Sequence, residues 1–204
     1  MITTFFIFKN TDYVTLVSCL IGISSLILCA KGNPIGMGLM ILFASFYGVT
    51  SFICKYYGEV ITYVGMTMPM SILSLISWIK NRHTKTEVKV NTLDRKDVML
   101  VSIFTIVVTL AFFFILKALN TSNLPVSTIS VTTSFVAVYF TYKRSPYFAL
   151  AYAVNDIVLI VLWIMQSFIS ITYVSVAVCF TVFLVNDLYS YFNWLKMQKR
   201  QAEK

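Results

Sequence analysis

Apolar residues run along this chain in seven long blocks, each near the roughly twenty residues that carry an α-helix across a bilayer. The blocks cover residues 14–30, 35–53, 59–79, 98–119, 126–142, 147–165 and 170–194. Between them lie polar breaks: Lys31-Gly32-Asn33-Pro34, Lys55, residues 80–97, 120–125, 143–146 and, weakest, 166–169. Pro34 and Pro146 suit the first helical position, with Asn33 and Ser145 placed as caps. Pro69 falls inside the third block, where it frees a backbone carbonyl and is expected to kink the helix beside a cavity. The pattern predicts an all-α integral membrane protein with seven transmembrane helices. Residues 1–13 form an apolar lead-in, too short to span and expected to lie at the interface.

Composition agrees with this pattern. Of 204 residues, 58% are hydrophobic and only 12% charged, about half the charged share of a soluble domain. The net charge of +8 is one-sided. Thirteen of the sixteen Lys and Arg follow blocks one, three, five and seven, as Lys31, the basic linker at 80–97, Lys143 with Arg144, and the tail at 195–204. Lys9, Lys55 and Lys117 lie on the other side. This bias predicts an outside N-terminus and a cytoplasmic C-terminus, and makes the positive charge a matter of topology rather than of nucleic-acid binding. The N-terminus lacks the basic region and small-residue cleavage site of a secretory signal.

The halves repeat. At a shift of 116, Ser51-Phe52-Ile53 falls on Ser167-Phe168-Ile169, Tyr57 on Tyr173, Ser74 on Ser190, Trp78 on Trp194 and Lys80 on Lys196. At a shift of 112, Lys31 falls on Lys143 and Pro34 on Pro146. The four-residue difference is about one helical turn. The expected organisation is 3+1+3: a three-helix repeat at 14–79, a linker at 80–97, a connecting helix at 98–119 and a second repeat at 126–194. Parallel repeats of this kind mark transporters with a site at the repeat interface.

The candidate chemistry is a set of polar residues inside apolar blocks. Asn155-Asp156 lies in the sixth and Asn186-Asp187 in the seventh. Carboxylates and carboxamides are costly in hydrocarbon, so both pairs should face a protein-lined, partly wet cavity. Asn186, Tyr189, Ser190 and Asn193 share one helical face; Asp187, Tyr191 and Trp194 share a neighbouring one. Tyr152 lies one turn before Asp156 and could stack on a solute. Tyr63, Met70 and Ser71, with Thr67 and Ser74, are candidates for the facing wall on the third helix. The same residues have a structural alternative: the Asp and Asn side chains bond across helices as glue, and the tyrosines pack as core. Trp78 and Trp194, each two residues before a lysine, read as interfacial anchors. Glu59 reads as a carboxylate at a helix N-terminus and His83 as solvated surface. Cys19, Cys29, Cys54 and Cys179 form no CxxC pair and read as small buried residues, so neither metal nor cofactor is implied. No HExxH, GxSxG or P-loop occurs, which argues against an enzyme or an ATP-driven pump.

The layout, Tyr57-Gly58-Glu59, Pro69-Met70 and the NxxYxYxNW ending at Trp194 resemble the PnuC family of vitamin transporters, over about residues 14–196. The resemblance implies a SWEET-like fold, a homotrimer in the plasma membrane of a bacterium, and facilitated diffusion of nicotinamide riboside. A cytosolic kinase would then trap the solute by phosphorylation. Relatives are implied to carry thiamine, riboflavin or deoxynucleosides. Aligned on Asp156, two tryptophans of the nicotinamide riboside pattern are Ala149 and Tyr152 here, a glutamine is Ser71, and Asp187 replaces a small residue. A nucleoside with a neutral base, such as a deoxynucleoside, fits this altered pocket at least as well. Ion-coupled uptake and a non-transporting membrane sensor or assembly subunit are the rival expectations.

Overall fold

The computed structural model describes residues 13–53, 57–121 and 123–203. Seven helices follow in order: α1 Tyr13–Ala30, α2 Ile35–Ile53, α3 Tyr57–Lys80, α4 Arg95–Ala118, α5 Leu124–Tyr142, α6 Tyr147–Ser167 and α7 Val174–Ala202. From α2 to α7, six helices are long and apolar enough to cross a membrane; the described apolar run of α1, Leu16–Ala30, is shorter. Lys9, Lys55, Cys54 and the lead-in at 1–12 lie outside the described residues. The chain is an all-helical, multi-pass membrane protein.

Helix α3 is not uniform. It is α-helical over Tyr57–Val60, π-helical over Ile61–Thr67 and α-helical again over Met68–Lys80. Pro69 explains the change of pitch. It has no N–H to give Gly65, four residues back, and its ring crowds that carbonyl. The turn widens ahead of it, and Met68 N donates to the Tyr63 carbonyl five residues back. The kink expected from sequence is therefore accommodated as a π segment. Gly48 of α2 serves a close approach here, since a Cβ would sit 2.4 Å from Val64 Cγ2.

Helix α4 starts at Arg95 because Asp94 and Asp97 form a reciprocal capping box: Asp97 N donates to Asp94 Oδ1 at 2.7 Å, and Asp94 N to Asp97 Oδ2 at 3.5 Å. It lies at the edge of the bundle, chiefly against α5. Lys143 Nζ, 2.6 Å from Asp97 Oδ1, ties its start to the end of α5, and that carboxylate holds the Lys143 ammonium above its ordinary pKa. Elsewhere α1 packs on α2 and α7, α6 on α5 and α7, and α3 on α2 and α5.

The turns at Pro34 and Pro146 are built alike. Gly32 has φ 68° in the first and Arg144 φ 57° in the second. Ile35 N donates to Asn33 Oδ1 at 3.0 Å, and Tyr147 N to Ser145 Oγ at 3.4 Å, so both expected caps are present. The linker straps these turns together: Val88 N donates to the Gly32 carbonyl and Asn91 N to the Arg144 carbonyl.

One reading from sequence needs correction. Trp78 and Trp194 are not interfacial anchors: both are fully buried, with ring centroids 5.3 Å apart. Trp78 Nε1 donates to the Thr141 carbonyl at 3.0 Å and Trp194 Nε1 to the Cys29 carbonyl at 2.9 Å. Each indole thus adds a second donor to a carbonyl in the last turn of another helix, which also accepts from a backbone N–H just beyond that helix, Arg144 N for Thr141 and Gly32 N for Cys29. Helix α7 continues past Trp194 through the basic tail to Ala202. Lys, Gln and Arg are good helix formers, Met197 packs on Gly32, and Gln201 Nε2 donates to the Val88 carbonyl at 3.0 Å. Cys19, Cys29 and Cys179 are buried and free, and His83 is exposed.

The tryptophan clamp predicts that Trp194→Phe, which keeps the ring and loses the N–H, destabilises the fold by about 0.5–1.5 kcal/mol, the net worth of one hydrogen bond, because the Cys29 carbonyl keeps its bond from Gly32 N at 2.9 Å. Unfolding in mixed micelles measures this.

Candidate functional site

The site is built where α6 and α7 face α1, α2, α3 and α5. On α6, Tyr152, Asn155 and Asp156 point inward: the first and last are one turn apart and Asn155 flanks them. On α7, Phe183 and Asp187 repeat that spacing. Tyr63 and Thr67 come from the π segment of α3, Met40 and Phe43 from α2, Leu26 from α1 and Ser134 from α5. Together these side chains enclose a cavity of about 20 Å³, room for about one water.

Asn155 is 2% exposed, and its Oδ1 accepts from Thr133 Oγ1 at 2.8 Å and Ser134 Oγ at 3.0 Å. Both donors are on α5, so one carboxamide joins α5 to α6. Asp156 and Asp187, 3% and 2% exposed, meet across the α6–α7 interface within hydrogen-bonding reach of each other. Asp156 Oδ2 and Asp187 Oδ1 have no partner among the described residues. A buried carboxyl oxygen left unbonded is costly and marks a place where a further polar group would be welcome. The Asn186 side chain approaches Asp187 and also reaches Ser190 Oγ at 3.4 Å. It supports the carboxyl from the side and does not line the cavity.

Above the acids lies an aromatic block. Tyr63 and Tyr47 have centroids 4.4 Å apart, and Phe43 meets Tyr47, Tyr63 and Phe183. Trp163 Nε1 donates to Tyr47 Oη at 2.9 Å, so the block is hydrogen-bonded as well as packed.

Of the residues singled out from sequence, the cavity brings together Asn155, Asp156, Asp187, Tyr152, Tyr63 and Thr67. Tyr189, 56% exposed, and Asn193, whose Nδ2 donates to the Ala30 carbonyl at 2.7 Å, sit together at the basic end of the bundle. Ser71 is buried on α3, and Met70 is half-buried there; neither lines the cavity. Ala149 packs with Trp78, Phe148 and Trp194 below the site.

Sequence reasoning missed Ser134 and its neighbour Thr133. The signal, a Ser-Thr-rich α5, was present, but nothing in its spacing selects one hydroxyl. Glu59 was read as a helix-end carboxylate. It does lie in the first turn of α3, but it is also 2% exposed: Ser130 Oγ donates to Oε1 at 3.3 Å, and Oε2 has no partner among the described residues.

Three similarities bear on this arrangement. The family model described as Nicotinamide mononucleotide transporter matches residues 12–196. A nicotinamide riboside transporter PnuC from Neisseria mucosa (strain ATCC 25996 / DSM 4631 / NCTC 10774 / M26) is 25% identical over 97% of this chain and 77% of its own. A crystal structure of the vitamin B3 transporter PnuC superposes with a TM-score of 0.80 at 22% identity, covering 96% of this chain and 86% of that one. It shows a shared fold.

The Asn155 bridge makes a separable prediction. Thr133 Oγ1 has further acceptors in the Ile129 and Ser130 carbonyls, whereas Ser134 is buried and depends on Asn155. Asn155→Ala should cost about 1–3 kcal/mol. Adding Ser134→Ala should recover part of that loss in a double-mutant cycle, read by thermal unfolding.

Proposed function

The chain belongs to the nicotinamide mononucleotide transporter family, and on that footing we propose that it carries a nucleoside-like solute, nicotinamide riboside or a close relative, through the cavity at Asp156 and Asp187. The observation that carries this reading is the pair of unbonded carboxyl oxygens facing one cavity beside Tyr152 and Asn155. The carboxyls can accept from ribose hydroxyls, and Tyr152 offers a stacking face. Nicotinamide riboside carries a fixed positive charge on its pyridinium ring, which a single carboxylate at this pair complements. The replacement of a small residue by Asp187 therefore favours a cationic ring over a neutral deoxynucleoside base.

Small-molecule sites measure about 300–1,000 Å³, far more than the closed cavity here. Entry of a nucleoside requires the helices to separate. Two three-helix halves, 14–79 and 126–194, rocking about the site in alternating access, provide that motion. Paired bonds support such a duplication. Trp78 to Thr141 and Trp194 to Cys29 are equivalent under the shifts of 116 and 112, as are Ser77 Oγ to the Tyr142 carbonyl and Asn193 Nδ2 to the Ala30 carbonyl. Gly32 and Arg144 are equivalent too. The SWEET-like grouping, the homotrimer, the outside N-terminus in a plasma membrane and trapping by a cytosolic kinase complete the proposal, on the strength of the family resemblance and the charge bias.

A thermal-shift panel of nicotinamide riboside, thiamine, riboflavin, ribonucleosides and deoxynucleosides tests the substrate. At a hundred times its Kd, the true ligand should stabilise the protein by about 2.7 kcal/mol. Nicotinamide riboside should lead the panel, and Asp156→Ala and Asp187→Ala should each abolish its shift. A neutral deoxynucleoside leading would move the substrate assignment. No shift with any member would favour a non-transporting sensor or assembly subunit.

A further inference from the structure

We infer that the pocket between the ends of α3 and α5 holds the phosphate headgroup of an anionic phospholipid. This pocket, about 380 Å³, is separate from the solute cavity and brings together Lys80, Lys143 and Arg144 with the carboxamide residues Asn81 and Asn91. Arg144 is the informative member. It stands at φ 57°, a left-handed backbone region that a non-glycine residue adopts only at a cost. Gly32 serves the matching turn at no such cost. The backbone alone would favour glycine at 144, so the side chain is kept for what its guanidinium does.

Part of that work is internal: Nη1 donates to Ser77 Oγ at 2.7 Å and Nε to the Lys89 carbonyl at 3.2 Å. These bonds fix the plane of the guanidinium over the pocket. Lys143 is paired with Asp97, but neither ion pair among the described residues engages Lys80 or Arg144. Two uncompensated cations of different shape then face one polar hollow, a combination suited to a phosphate diester.

The pocket's position selects lipid. It lies where two spanning helices end, and its wall continues into Leu73 and Ile76 of α3, 48% and 45% exposed. A basic pocket between helices at the membrane boundary, with an apolar wall above it, matches a charged headgroup and the start of its acyl chains. The opposite pocket supplies a control. It holds Lys31, Lys196 and Arg200 in a similar layout, about 330 Å³, but Glu87 lies within it and pairs with Arg200. Positive-inside topology would be served equally by either set of charges. Headgroup binding would favour the first.

The test uses delipidated full-length protein in neutral detergent, with phosphatidylglycerol, phosphatidylcholine and inorganic phosphate as probes. Native mass spectrometry reads retained lipid, and thermal shift reads stabilisation. Phosphatidylglycerol should be retained and raise the Tm above phosphatidylcholine. Lys80→Gln and Arg144→Gln should each weaken retention by roughly fivefold. Lys196→Gln, in the opposite pocket, should leave it unchanged. If Arg144→Gln fails to fold, Lys80→Gln decides the question alone. Equal retention of phosphatidylcholine, retention unaltered by Lys80→Gln, or an equal loss with Lys196→Gln overturns the proposal. Stabilisation by inorganic phosphate as large as that by phosphatidylglycerol overturns the assignment to lipid. Nicotinamide riboside binding is read independently, so failure here leaves the solute site untouched.

Discussion

Hydrocarbon offers a carboxyl group nothing to bond to, and the bundle around Asp156 and Asp187 is arranged under that constraint. Both acids are withdrawn from the lipid-facing surface and set against each other between α6 and α7. Asn155 is satisfied by two hydroxyls of α5, and Asn186 approaches Asp187. The remaining oxygens open on one small cavity. If these groups were only helix glue, two unbonded buried carboxyl oxygens would be an unexplained cost. On the transport account, they are vacant acceptors for a polar solute.

Around this centre the two ends of the bundle are built differently. At the basic end, two indoles bond helix-end carbonyls and pack at a tilt against each other, while the linker is laced to both proline turns. On the far side of the cavity, α3 carries its irregular pitch at Ile61–Thr67, where it presents Tyr63 and Thr67. π segments inside helices are frequent at functional sites. Here the wide turn allows the aromatic wall of Tyr63, Tyr47 and Phe43 to sit close to the acids. It also places a stretch of non-α hydrogen bonding next to the site.

Helix positions were readable in the sequence because hydropathy over twenty residues outweighs every local preference. The block at 35–53 matches α2 residue for residue. The end of α7 was hidden because charged residues break an apolar run without breaking a helix. The tryptophans were misread for a similar reason: a Trp two residues before a Lys has the same sequence signature whether it anchors at a membrane surface or bonds a neighbouring carbonyl. At the site, the Asn-Asp pairs were legible by their rarity in apolar surroundings. Spacing offered two faces of α7; the cavity takes Phe183 and Asp187, while Tyr189 and Asn193 lie further toward the basic end. Helical periodicity gives the side a residue faces, but which side looks inward depends on packing partners that a single sequence does not display.

The central claim is that these buried acids serve a passage for a solute. Its most direct test is flux. Purified protein alone in sealed liposomes should let labelled nicotinamide riboside equilibrate across the membrane, in either direction and without a sodium or proton gradient. Liposomes that stay impermeable to nicotinamide riboside and to every other nucleoside or vitamin tried would contradict the account.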